Sequence, residues 1–404
     1  MMKIVKLIRK HSFQDVRVYQ KQARSLAAMG YDVCLMAPRY NGNLLDINRR
    51  PVGGALYRGI RFQLDGVTFA TFAAKRSVTD KEAAAWESRM LTELQGETPD
   101  SPLSWDGLLS GALLEEGDVY HAHEPWTLYE AVMAKRLLQR QGKRAKVIFD
   151  AHELEGDSPL LRRLMLETDH MITVSDSIGE LYRQRYPHVT VSIIYNSPLY
   201  ENEVAETAPA AASDEKAFTI GYEGMLTKEK GDPVRIMAIA DRLAQEGINV
   251  RFKVLGKVVL PYGQGKVNME KVLCDHPRID YGWAPFQQLG KLWSGVDAGY
   301  IYFDLGVSNR IHALPNKLFS LMNSGVPIVV NAAQAMGDLI NRYQCGIVIP
   351  KRNPSADDYA EQFALLYRDR ELLHRLGRNA KEAMHSTYSW NRMEQRLRDI
   401  YHSL

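Results

Sequence analysis

Short runs of Val, Ile, Leu and aromatic residues recur along the first half of the chain, at 3–8, 32–37, 118–122, 146–151, 170–174 and 190–195. Each is too short for a helix and too continuously apolar for a half-exposed strand. Each therefore predicts a strand buried on both faces. Between the first two runs, Tyr19, Ala23, Leu26 and Ala27 fall at helical spacing and Gly30 stands as a C-terminal stop, predicting a helix over 19–29. Strand, helix and strand at this spacing imply right-handed βαβ units and a largely parallel sheet. Residues 81–94 read as a helix and 95–104 as an irregular insertion.

The pattern lapses over 197–216, an acidic stretch with Ala and Pro and no periodicity, which reads as a linker. A second alternation follows, with strands expected at 218–222, 250–255, 298–303, 327–330 and 346–349 and helices at 233–246, 315–323 and 356–376. The expected organisation is an α/β domain over 1–196, the linker, a second α/β domain over 217–385, and a terminal segment, 386–404, whose helix returns to the first domain. Polar and glycine residues collect after the strand ends of both halves. In open parallel sheets ligands bind there, so two doubly wound domains facing a cleft are expected.

Composition narrows the classes. With 404 residues, 45% hydrophobic and 25% charged, the chain reads as globular rather than disordered. Lys and Arg number 51 against 48 Asp and Glu, a net charge of +3, too little for nucleic-acid binding by bulk electrostatics. The three cysteines, Cys34, Cys274 and Cys345, show neither a disulfide framework nor zinc spacing, which suits a reducing cytoplasm. Lys and Arg interrupt the apolar residues of 1–10, arguing against a signal peptide. No apolar run approaches the roughly 18 residues of a membrane helix, so any membrane work is expected at the surface.

Five segments carry candidate chemistry. The loop 224–231 runs from a strand to a helix, so its amides, with Lys228 and Lys230, suit an anion; a plain turn with solvated lysines is the alternative. It has neither GxGxxG nor GxxxxGK[ST], which disfavours a P-loop or standard dinucleotide site. In 312–330, Pro315 opens a helix with Asn316 and Lys317 in its first turn, where a cation is unfavourable without an anion to share. His121 and His123 share one face of a strand but are too few for zinc. Asp150, His152 and Glu153 offer either an acid–base group or a helix cap. Finally, Lys135, Arg136, Arg140, Lys143 and Arg144 form a basic stretch, read either as a solvated helix face or as a landing surface for anionic lipid. The chain has no DxD, the metal-bound nucleotide-sugar motif.

Taken in order, the motifs at 15–17, 118–125, 149–153, 172–175, 195–198, 223–231, 315–319, 325–327 and 388–390 resemble the retaining glycosyltransferases of family 4, and the resemblance covers most of the chain. It implies the GT-B architecture, two Rossmann-like domains, and transfer of a sugar from a nucleotide donor to a glycan or glycolipid in surface glycoconjugate assembly. It also implies retention, no metal and no cofactor beyond the donor. By the same resemblance Gly224, Met225, Lys228, His312, Asn316 and Ser320 bind the donor, with Lys230 and Lys317 stabilising the departing diphosphate and His123 near the reacting sugar. Asp15, Arg17, Asp150, His152 and Glu153 fall on the acceptor side. Two departures stand out: a family glutamate pair is replaced by His312 and Ser320, and a common arginine by Met225. A non-catalytic relative that binds a nucleotide sugar or a partner, and more weakly an epimerase of the same architecture, therefore stay open.

Overall fold

The computed structural model describes residues 1–75, 79–198, 217–259, 268–283, 293 and 295–404. Residues 199–216 of the expected linker lie outside the described residues. The chain divides into two compact units, Met1–Ile194 with Glu394–Leu404, and Tyr195–Met393.

In the first unit the strands are β1 (Lys3–Leu7), β2 (Asp32–Arg39), β3 (Arg61–Leu64), β4 (Val67–Ala73), β5 (Val119–Ala122), β6 (Lys146–Ala151), β7 (His170–Thr173) and β8 (Thr190–Ile193). They form one sheet in the order β3-β4-β2-β1-β5-β6-β7-β8. All neighbours pair in parallel except β3 with β4. Every residue of β5 and β7 is buried, as a sheet covered on both faces requires. The β3–β4 hairpin was not expected; Asp65 and Gly66, at φ of 50° and 76°, make its tight turn. The predicted helix begins earlier than 19 and opens with π-type turns over Val16–Ala23, capped by the Asp15 carboxylate, which accepts from the amides of Arg17 and Val18. The wider turn leaves Arg17, Lys21 and Gln22 buried. Only then does it become an α-helix, Arg24–Ala28.

The second unit holds β9 (Phe218–Leu226), β10 (Val250–Val258), β11 (Ile279–Gly282), β12 (Ala298–Ile301), β13 (Ile328–Asn331) and β14 (Gly346–Ile349), ordered β11-β10-β9-β12-β13-β14 and parallel throughout. Ile220, Tyr222, Phe252, Tyr300 and Val329 lie in its core with Ile236, Ile239 and Leu243 of the helix Pro233–Gln245. The single helix expected over 356–376 is two, Ala356–Arg368 and Arg370–Ala383. Asp369 ends the first and caps the second, accepting from the amide of Leu372. In each sheet the chain reverses its winding at one strand, β1 between β2 and β5, and β9 between β10 and β12. Ligands favour the carboxyl ends beside such a reversal. No described helix is long and apolar enough to cross a membrane.

Candidate functional site

The first unit gathers its chemistry at and just past the carboxyl ends of β1, β5 and β6. Asp150, the fifth residue of β6, has a fully buried side chain, and the Arg17 guanidinium grips it at 3.1 Å and 2.6 Å. Arg17 also donates to the Ile194 carbonyl at 2.7 Å, and Gln22 donates to Asp150 at 2.8 Å. The π-turns bring both donors to one carboxylate. Lys6 of β1 donates to Gln22 Oε1 at 2.9 Å and lies 3.0 Å from His121 Nδ1, which also meets the Tyr401 hydroxyl at 2.6 Å. The rings of His121 and His123 stack 4.6 Å apart, and His123 Nδ1 meets His152 Nε2 at 3.0 Å. His152 packs 4.5 Å from His11, which pairs with Asp15 at 3.2 Å.

Burial and charge set the protonation. Burial opposes ionisation of Asp150, yet Arg17 and His152 hold its carboxyl well below the usual range. Burial, then the Lys6 charge, push His121 down to about 3 and His123 well below its ordinary value. Both imidazoles are neutral at physiological pH. Burial alone would lower His11, but the Asp15 hydrogen bond and Glu124 raise it. Asp15, pulled against burial by His11, falls to about 2. His121, His123 and Asp150 each offer a ligand atom, all within 4.8 Å of one another. However, Asp150 already accepts from Arg17 and Gln22, and Arg17 and Lys6 place positive charge in the same shell. The arrangement is a buried polar network in which the Asp150 carboxylate is already occupied by donors. His123 Nε2 is buried without a hydrogen-bond partner. Glu153 stands apart: it is exposed, and its carbonyl accepts from Tyr182 at 3.2 Å.

The second unit gathers charge beyond β9. Gly224 has φ of 107°, and a Cβ there would lie 3.3 Å from Lys317 Nζ, so glycine leaves the ammonium room against the main chain. Lys317, in the first turn of the helix Asn316–Asn323, is buried, with Nζ 3.9 Å from the centre of the Tyr222 ring. Nζ of Lys317 and of Lys230 lie 5.8 Å and 6.0 Å from the centre of the Phe303 ring, so both cations sit near one aromatic side chain. Burial, only partly offset by the Glu223 charge and reinforced by Lys230, pushes Lys317 down to about 7. Gly231 is fixed by geometry, since a Cβ would come 2.4 Å from the Tyr222 ring.

The loop itself differs from expectation. Its amides were to cradle an anion, but those of Thr227, Lys230, Gly231 and Asp232 bond inward to carbonyls, and that of Glu229 to the Thr227 hydroxyl. The lysine side chains, with the opening at Gly224, carry the positive field instead. Met225 is 54% exposed, Lys228 and Asn316 are exposed, and His312 ends a separate short helix, Ser308–His312. Ser320 accepts from the Trp293 indole at 2.8 Å. Four of the five basic-stretch residues have acidic partners: Lys135 with Asp169, Arg136 with Glu167, Arg140 with Asp100 and Lys143 with Glu116. Arg144 is exposed.

Sequence reasoning passed over Lys6, Gln22, Tyr401 and Trp293, and placed Glu223 at a strand end without giving it a role. The first two carried a signal, polar residues inside an apolar strand and helix, and Glu223 interrupts the apolar run of β9. Tyr401 carried none, since its partner His121 lies 280 positions away.

Residues 307–383, which contain the helix of Lys317 and Ser320, match the family model of glycosyl transferases group 1. Sucrose-phosphate synthase from Thermosynechococcus elongatus superposes with a TM-score of 0.67 at 13% identity, covering 100% of this chain and 99% of that one. Anabaena HepE, in complex with UDP and glucose, gives 0.65 at 14% identity with 100% of both chains covered. The lipopolysaccharide outer core galactosyltransferase WaaB, in its apo form, gives 0.61 at 13% identity, again over 100% of both chains. The chain has the GT-B fold. No curated protein sequence matches it. Each unit is an α/β sheet, parallel apart from the β3–β4 pair of the first, and the matched segment falls in the second unit.

Proposed function

We propose that the protein is a glycosyltransferase that moves a sugar from a nucleotide-sugar donor to a glycan or lipid-linked acceptor in surface glycoconjugate assembly, with retention and without metal. The observation that carries this reading is the pair Lys230 and Lys317 gathered near Phe303, with Lys317 set against Gly224 inside the group 1 segment. A buried, underpaired ammonium in the first turn of a helix is unfavourable until an anion arrives. A nucleoside diphosphate supplies that anion. As the anomeric carbon leaves the phosphate and bonds to the acceptor oxygen, the diphosphate departs with the electron pair and its oxygen takes the proton of the acceptor hydroxyl. Lys230 and Lys317 then stabilise the growing charge electrostatically.

On the first unit, neutral His123 presents an unpartnered Nε2 to a hydroxyl of the reacting sugar, and Asp15, Arg17, Asp150 and His152 hold it in place. Glu153 meets the acceptor from the exposed rim. Gly224, Met225, Lys228, His312 and Asn316 complete the donor side. The HepE structure that holds UDP and glucose supports a uridine donor as the first to try. The reading places the enzyme in the cytoplasm, working on acceptors at the membrane surface. A non-catalytic binder is the second reading, favoured by His312 and Ser320 standing where relatives carry glutamates.

Purified protein incubated with UDP-, GDP-, ADP- and dTDP-sugars should show a thermal shift and slow donor hydrolysis with at least one. A thermal shift without hydrolysis or transfer favours the binder, and no response to any of the four contradicts both.

A further inference from the structure

Glu223 has entered so far only through its pull on Lys317, yet its own burial is unfavourable. It stands two residues past the fully buried Gly221, is 6% exposed, and its Oε2 is sealed from solvent with no hydrogen-bond partner. A carboxylate oxygen left bare in this way costs more than an ordinary buried polar group. Burial accordingly raises its pKa, against the pull of Lys317, Ser320 and Trp293. Its surroundings are those of an unfinished site. Ser320 and Trp293 lie beside the carboxyl group and favour its charged form, and the indole donates to Ser320 Oγ at 2.8 Å. The next residue is the exposed Gly224, whose missing side chain leaves room beside Lys317 Nζ.

A carboxylate repels phosphate and accepts only from donors, so it is no part of an anion clamp. What it can take, one residue from a diphosphate held by Lys317, is a pair of hydroxyls attached to that diphosphate. We infer that Glu223, steered by Ser320 and Trp293, is the hydroxyl-recognising group of the donor site, accepting hydrogen bonds from a vicinal diol of the nucleotide sugar while Lys317 holds its diphosphate. The short Ser320 side chain on the helix leaves the space, and β9 supplies the charge. The inference rests on the proposed function. A purely structural Glu223, serving only as counter-ion to Lys317, predicts a different pattern of losses.

The test is a calorimetric comparison of the full-length wild type, Glu223→Gln and Ser320→Ala. UDP against 2′,3′-dideoxy-UDP reads the ribose diol, and UDP-glucose against UDP-2-deoxyglucose reads the hexose. The hydroxyl role predicts that Glu223→Gln weakens binding of one fully hydroxylated ligand about 10- to 100-fold and leaves its deoxy analogue nearly unchanged. Whichever pair shows this assigns the diol. Ser320→Ala, on a half-buried helix position that tolerates alanine, should shrink the same discrimination by a smaller factor. Equal losses for hydroxylated and deoxy ligands in both pairs, or no loss at all, would overturn the inference and leave the diphosphate site standing. A wild type that binds neither UDP nor UDP-glucose, nor GDP or ADP as substitutes, overturns both.

Discussion

Asp150 and Glu223 are both buried carboxylates near the carboxyl ends of sheet strands, and the chain treats them oppositely. Asp150 accepts from Arg17 and Gln22 and stays ionised, whereas Glu223 keeps one bare oxygen and is pushed towards its neutral form. The cations follow suit. Arg17 forms a two-pronged pair within its unit, while Lys317 rests on glycine backbone and a tyrosine face. The contrast teaches that satisfied buried charge builds a rigid frame, while underpaired buried charge marks a place kept ready for a ligand.

The contrast can be broken most forcefully at Arg17. Arg17→Leu strands Asp150 without its charge partner and should destabilise the first unit by about 3–5 kcal/mol, read as a lowered urea midpoint with activity lost alongside. Lys317→Met should do the reverse. It removes an ammonium whose burial is unfavourable, so the melting temperature stays level or rises, while turnover falls about a hundredfold or more through loss of transition-state charge stabilisation. An equally large stability loss at both positions would erase the distinction.

A smaller effect lies in pH. The Lys317 pKa is depressed in the fold, so its burial cost is present below pH about 7 and is relieved as pH rises towards the unfolded value of 10.5. Binding runs the other way, because a diphosphate needs the ammonium. UDP affinity should therefore fall by up to tenfold per unit above pH about 7, with proton uptake seen by calorimetry in buffers of different ionisation enthalpy. Lys317→Met should abolish both the slope and the uptake.

Much of the fold was legible because short apolar runs bounded by turn residues favour strands of a parallel sheet. Thus β6 and β14 fall where expected, 146–151 and 346–349. The β3–β4 hairpin was missed although Asp65-Gly66 between apolar runs is a turn signal, and the break at Asp369 was missed because helical periodicity continues through the cap. Lys317 was legible as a cation at the wrong end of a helix. Glu223 was legible as a polar residue at a strand end but not in its role, and Tyr401 was not legible, since what makes each matter is a partner far along the chain: Ser320 and Trp293 for one, His121 for the other. Spacing along a sequence does not encode such pairings.

The central claim is that the second unit holds a nucleoside diphosphate on Lys230 and Lys317. It is tested most directly by titrating UDP, GDP and ADP into wild type and into the Lys230→Met, Lys317→Met double variant, with melting curves for both. The account predicts that the wild type binds at least one of the three and that the variant, folded and as stable, binds none. A variant that binds as tightly as the wild type would contradict it.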